Sequence, residues 1–266
     1  MASELATISS NKIDLGFERL QSEKRKALVC YVTAGHPDPT RSLDLLRGLE
    51  DAGADVIEVG VPFSDPIADG PVIQASSQVA LSHGMSMHRT LELIGKAGLG
   101  VPVVLFSYLN PLIAAGPGIL EQALDAGVDG VLVTDLPVGA DPTREEWLGS
   151  SDLAFIRLVA PTTPTNRMEE IGRNGSGFVY LISRLGVTGA SHNVSADLPG
   201  TAARLRGATQ LPICVGFGIS DADQAREAAS VADGVIVGSA LVSAAGRSLS
   251  DAFDFTRSLR QALDSH

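Results

Sequence analysis

The chain has 266 residues, 44% of them hydrophobic, and carries a formal net charge of −11 at pH 7. That composition supplies a sizeable core, and the negative balance excludes the basic face that nucleic-acid binding requires. Its two cysteines, Cys30 and Cys214, lie inside apolar runs and match neither a disulfide framework nor a metal knuckle, so they read as buried thiols.

In chain order, residues 1–10 lack an apolar export segment and are expected to be disordered. Residues 11–26 have amphipathic spacing and predict a helix beneath the fold. Eight short β-branched runs follow, at residues 28–33, 55–60, 102–107, 130–134, 154–159, 178–183, 212–216 and 234–238. They are continuously apolar, without polar alternation, which predicts parallel strands buried on both faces. Amphipathic helical patterns lie between them, for instance at 40–52, 118–126 and 222–229. A signature recurs at strand entry: Asp51-Ala-Gly-Ala-Asp55, Asp125-Ala-Gly-Val-Asp129 and a weaker Val231-Ala-Asp233. Gly53 and Gly127 suit the left-handed position that ends a helix.

This strand–helix rhythm predicts an α/β fold, a closed (β/α)8 TIM barrel filling the chain as one domain. Such barrels commonly run to about 250 residues. The longest apolar stretch, 101–120, is interrupted by Asn110, Pro111, Gly116 and Pro117, so it predicts no membrane-spanning helix, and a soluble cytoplasmic protein is expected. The widest intervals between strand starts follow the second and sixth strands. Extra length there lies at the C-terminal ends of the strands, where barrels of this kind build active sites, and it reads as lids or binding loops.

The second strand carries the most informative residue. Glu58 lies among Val56, Ile57, Val59 and Val61, and an ionised carboxylate in such a run costs several kcal/mol (roughly 3–5) unless it is paired, protonated or used. Asp65 and Asp69 follow in a loop pinned by Pro62, Pro66 and Pro71. Glu58 either makes a structural bond or shuttles protons; Asp65 and Asp69 either form turns or take part in the chemistry. The functional reading has Glu58 held protonated by desolvation and Asp69 kept ionised in a wetter loop.

Glycine-rich segments after three late strands, Gly186-Val-Thr-Gly189, Gly216-Phe-Gly218 and Gly238-Ser239, suggest converging backbone amides for a phosphate. The only lysines, Lys12, Lys24, Lys26 and Lys96, lie outside strand ends, which disfavours Schiff-base chemistry. The histidines form no helical ligand pair, so no metal is expected, and no dinucleotide fingerprint follows the first strand. Proton transfer by carboxylates on a phosphorylated substrate, without a cofactor, is what remains. Tyr31, Phe106, Tyr108, Tyr180 and Phe217 fall at or just after strand ends and could line a flat apolar pocket.

The segments Glu58-Val-Gly-Val-Pro-Phe-Ser-Asp65-Pro-Ile-Ala-Asp69-Gly-Pro71, Leu185-Gly-Val-Thr-Gly189 and Gly216-Phe-Gly-Ile219 make the chain resemble the tryptophan synthase alpha subunit family, from about Gly16 to the C-terminal helix. The resemblance implies retro-aldol cleavage of indole-3-glycerol phosphate to indole and glyceraldehyde 3-phosphate. It implies Glu58 as the acid/base and Asp69 as the group that holds the indole N–H. Tyr180 would position the catalytic carboxylate, and Thr188 would close the loop after the sixth strand toward Asp69. Gly189, Gly218, Gly238 and Ser239 match the phosphate site, and Tyr31, Phe106 and Phe217 match the indole pocket. The family's partner is a beta subunit that carries pyridoxal phosphate, in an alpha2beta2 heterotetramer, and Pro62, Asp65, Pro66 and Asn110 match positions facing it. Alternatives are a stand-alone lyase that releases free indole, and a catalytically silent barrel kept to activate a partner.

Overall fold

The structure is a computed structural model that describes residues 11–183, 197–216 and 218–265. The first half runs α1 Lys12–Ser22, β1 Ala27–Thr33, α2 Pro39–Asp51, β2 Val56–Gly60, α3 Pro71–Ser82, α4 Met87–Ala97, β3 Val103–Ser107, α5 Leu109–Ala115, α6 Ile119–Asp125 and β4 Gly130–Val133. The second runs α7 Pro142–Gly149, β5 Ala154–Val159, α8 Thr165–Arg173, β6 Val179–Ile182, α9 Leu198–Ala208, β7 Ile213–Gly216, α10 Ala222–Ala229, β8 Gly234–Val237, α11 Ser239–Arg247 and α12 Leu249–Asp264. All eight strands pair parallel in sequence order, and β8 closes on β1, which is the expected TIM barrel. No helix among the described residues is long and apolar enough to cross a membrane.

The strand-entry signature has a role beyond ending helices. Asp55 accepts the Leu28 N–H (2.9 Å), Asp129 that of Val103 (2.9 Å) and Asp233 that of Ile213 (2.8 Å). In each case the aspartate's own N–H returns a bond to the same residue's carbonyl. Each carboxylate therefore locks the first or second residue of a neighbouring strand and fixes register where the ladder begins. Gly53 (φ +101°) and Gly127 (φ +89°) take the left-handed turn that brings those aspartates into place.

Helix α1 ends at Ser22, short of the predicted boundary, and residues 23–26 lead into β1 with Lys24 at φ +56°. Asn11 caps it, accepting from Ile13 N at 2.9 Å and donating to the Asp129 carbonyl at 2.7 Å. Ile13, Phe17 and Leu20 share the buried face and pack on Val29, Leu132, Phe178 and Cys214 inside the barrel, with the Phe17 and Phe178 rings 5.7 Å apart. Burying each such side chain contributes about 1.5–3 kcal/mol, and together they plug the N-terminal end. The opposite end stays open.

At that open end, the interval after β2 is only partly loop. Residues 61–70 lead into α3, an extra helix ahead of α4, which accounts for much of the length expected there as a lid. The corresponding loop after β6 lies outside the described residues.

Candidate active site

Glu58 occupies the middle of β2, in register with Tyr31 on β1 and Val104 on β3. It is fully buried, and among the described residues neither carboxylate oxygen has a hydrogen-bond partner. Burial alone pushes its pKa up to about 8, so it holds its proton at neutral pH. A cavity of about 360 Å³ opens above it at the C-terminal end of the barrel.

Asp69 lines the same cavity. A turn places it: its N–H reaches the Pro66 carbonyl (3.1 Å), and Gly70-Pro71 then starts α3, with Gln74 Nε2 donating back to the Asp69 carbonyl at 2.8 Å. Burial raises its pKa to about 6, while a hydrogen bond donated by the Tyr108 hydroxyl to Oδ2 (3.0 Å) pulls the other way. Asp69 is therefore ionised at neutral pH. The two carboxylates are pushed toward opposite protonation states within one cavity, which is how acid and base roles are divided.

Tyr108 is the functional residue whose specific role the sequence reading missed. It caps α5, accepts the Ala68 N–H at 2.9 Å and packs on Phe63, with ring centroids 5.2 Å apart. Asp135 in turn holds the next amide, Leu109 N, at 2.7 Å. The available signal was a polar-tipped aromatic directly after a strand end.

Tyr31 and Phe106 meet edge to face (5.1 Å, 77°) in the cavity wall, joined by Val72, Ile73, Leu158 and Ile182. Gly218, Gly238 and Ser239 also line the cavity, and α11 begins at Ser239 with no side-chain cap among the described residues. Ser220 and Ser243 add hydroxyls there. Of the residues singled out from sequence, Glu58, Asp69, Tyr31, Phe106, Tyr180, Gly218, Gly238 and Ser239 converge on this one cavity. Thr188, Gly189 and Phe217 lie outside the described residues.

Two expectations change. Tyr180 lines the cavity but makes no hydrogen bond to Glu58; its hydroxyl lies over Gly216, where an added β-carbon would come within 2.4 Å of it. Any hold it has on the carboxylate is by packing. Among the expected partner-facing positions, Asp65 and Asn110 are exposed and Pro66 is half-buried, but Pro62 is buried and presents no face.

A larger cleft, about 740 Å³, lies at the plugged end between α1 and the β7–β8 edge. Three of its four cations already bond the protein: Lys26 the Ala232 carbonyl, Arg206 Asp233, and Arg25 Glu23 and Asp264.

Fold and site together define a TIM barrel with two buried or half-buried carboxylates, Glu58 and Asp69, lining one cavity at the C-terminal ends of its strands. A family model described as tryptophan synthase alpha chain matches residues 17–264. The tryptophan synthase alpha chain of Desulfatibacillum aliphaticivorans is 47% identical over 84% of this chain and 86% of its own, and that of Laribacter hongkongensis is 44% identical over 96% and 99%. Among solved structures, a chain of Mycobacterium tuberculosis tryptophan synthase superposes with a TM-score of 0.89 at 32% identity, covering 96% of this chain and 99% of that one. The Legionella pneumophila alpha subunit gives 0.86 at 33%, covering 97% and 100%. The chain belongs to the tryptophan synthase alpha chain family, and with membership goes a lyase activity, cleavage of indole-3-glycerol phosphate in tryptophan biosynthesis. That family works without a cofactor of its own and in complex with a beta subunit.

Proposed function

We propose that Glu58 and Asp69 carry out the cleavage as a divided acid–base pair. The protonated Glu58 carboxyl gives its proton to indole C3, and the ring becomes an indolenine cation. Ionised Asp69 accepts the indole N–H and stabilises that positive charge in a cavity with few competing waters. The Glu58 carboxylate then takes the proton of the glycerol hydroxyl next to the scissile bond. The carbon–carbon bond breaks, its electron pair returns to the ring, and indole and glyceraldehyde 3-phosphate leave with Glu58 reprotonated. The cation is the electron sink, so this route needs neither metal nor Schiff base.

Tyr31 and Phe106, with Phe217, would sandwich the indole; Gly218, Gly238 and Ser239, with Gly189, would bind the phosphate through the α11 N-terminus; Thr188 would close on Asp69. The observation that carries the reading is the fully buried, unpaired Glu58 facing the same cavity as Asp69. The test is release of indole and aldehyde from indole-3-glycerol phosphate. Glu58→Gln should lower kcat by orders of magnitude with folding intact; a near-wild-type rate would defeat the mechanism and favour a silent partner-activating barrel.

The proposed partner is a beta subunit holding pyridoxal phosphate, in an alpha2beta2 assembly in the cytoplasm. Its docking face would be the rim around Asp65, Pro66 and Asn110. Ile67 is 82% exposed and Ile113 39%, an apolar presentation on the same rim that a partner would cover. Steady-state rates with and without the beta subunit test this, and an unchanged rate would support a stand-alone lyase instead.

A further inference from the structure

The turn between β7 and α10 is held from behind by a residue that does not itself line the cavity. Gly218, Ile219 and Ser220 line it together with Gly238 and Ser239. Gly218 takes φ +87°, a left-handed bend that puts the following residues along the cavity wall. Ile219 is 4% exposed and packs into the core, which anchors the middle of the turn. Gly218 and Ser220 are exposed, so apolar packing does not fix them.

Gln224 supplies the second anchor. It stands in the first turn of α10 and is 9% exposed. Its Oε1 accepts two bonds from one residue, the Ser220 N–H at 2.8 Å and the Ser220 hydroxyl at 3.1 Å. An N–H can only donate, so the amide must turn its oxygen toward the loop, and both lone pairs of that oxygen are filled. Asp221 caps α10 and accepts the Gln224 N–H at 2.9 Å. In an ordinary capping box the third helical residue reaches back to the N–H of the cap itself. Here it reaches one residue further and ties the loop to the helix. Both Ser220 donors are thereby engaged, so Ser220 offers none to an anion. Among the described residues neither the Gly218 nor the Ile219 N–H donates to another group, and these are the donors left at the turn.

We propose that Gln224 is a positioning residue for phosphate binding: by engaging both donors of Ser220 it sets the Gly218–Ser220 turn, so that the Gly218 and Ile219 N–H groups are presented to the anion ready-made. The inference rests on the phosphate site proposed above and adds a residue that acts on it without touching substrate. Ser220 is exposed, so water can take its two donors when Gln224 is replaced, and α10 keeps its Asp221 cap. The loss falls on binding, because a loosened turn must be ordered each time the phosphate enters.

The experiment compares two fragments of the substrate as inhibitors of aldehyde release: glycerol 3-phosphate, which carries the phosphate, and indole, which does not. Gln224→Met keeps the length of the side chain and removes the acceptor. KM for indole-3-glycerol phosphate and the inhibition constant of glycerol 3-phosphate should each rise roughly three- to tenfold, the effect of about one hydrogen bond. The kcat and the inhibition constant of indole should stay at their wild-type values. Ser220→Ala, at an exposed position that leaves the core alone, should raise the same two constants by less, because the N–H bond to Gln224 survives. In the Gln224→Met background it should add nothing. An unchanged glycerol 3-phosphate constant in Gln224→Met, an equal weakening of indole, or a Ser220→Ala effect that persists in the double variant would overturn the role of Gln224. Wild-type protein that neither glycerol 3-phosphate nor inorganic phosphate inhibits would instead overturn the phosphate site on which that role rests.

Discussion

Replacing Tyr108 by Phe isolates the one hydrogen bond that the Asp69 carboxylate accepts among the described residues. The substitution deletes the hydroxyl 3.0 Å from Asp69 Oδ2 and leaves the ring on Phe63. It also frees the Ala68 N–H, but Ala68 is exposed and water can take that bond. A bond to a charged acceptor contributes about 1.5–3 kcal/mol, which favours the ionised form and corresponds to roughly one to two pH units. Asp69 titrates at about 6 in the intact site. In Tyr108→Phe it should titrate at about 7 to 8, so the ionised fraction at pH 7 drops from about nine-tenths to between about a half and a tenth. The acid limb of kcat/KM therefore moves up, while the basic limb, set by Glu58 at about 8, stays in place. The pH window of activity narrows from its acid side. The assay is kcat/KM for indole release across the acid-to-basic range at fixed ionic strength. An acid limb that stays put, or moves to lower pH, would refute the assignment of Asp69 as the group that must be ionised.

Other outcomes follow from the same geometry. Glu58 has a folded pKa of about 8 against an ordinary 4.5, so the folded state binds the proton more tightly and stability declines as pH rises between those values. Glu58→Gln should therefore melt higher than wild type above pH about 8 and nearly equal to it near pH 4.5; equal melting at both would contradict the buried-acid reading. Arg260 Nη1 holds Asp55 Oδ2 at 2.7 Å, with both residues 7% exposed, and Arg260→Met strands that carboxylate at a cost of about 3–5 kcal/mol. Urea unfolding should show a lower midpoint with an unchanged slope. Gly60→Ala forces a β-carbon to within 2.1 Å of the Tyr31 oxygen, so the ring must shift, and KM for the substrate should rise while the secondary structure by circular dichroism is retained.

Strand positions were legible because runs buried on both faces are continuously apolar, and β5 begins and ends where the pattern predicted. Other ends moved by a residue for local reasons. Asp55 falls outside β2 because its side chain is engaged with Leu28 and Arg260, and Pro102 has no N–H to give β3. The glycines of the strand-entry signature were read correctly as helix ends, but the aspartates beside them bind a strand residue 26 or 27 positions earlier, or 20 in the case of Asp233. No local pattern states that destination.

What the linear chain determined by itself was the kind of element at each position and the presence of an expensive acid in one of them. Periodicity, proline placement and left-handed glycines are properties of a few adjacent residues. The folded barrel alone decided which side of each strand faces inward, because a strand apolar on both sides carries no parity. It also decided that Glu58 goes unpaired beside a phenol and that Tyr108 reaches Asp69 across 39 residues of chain. Those outcomes come from the register between strands and the entry angle of α3, which are set by packing of segments distant in the chain.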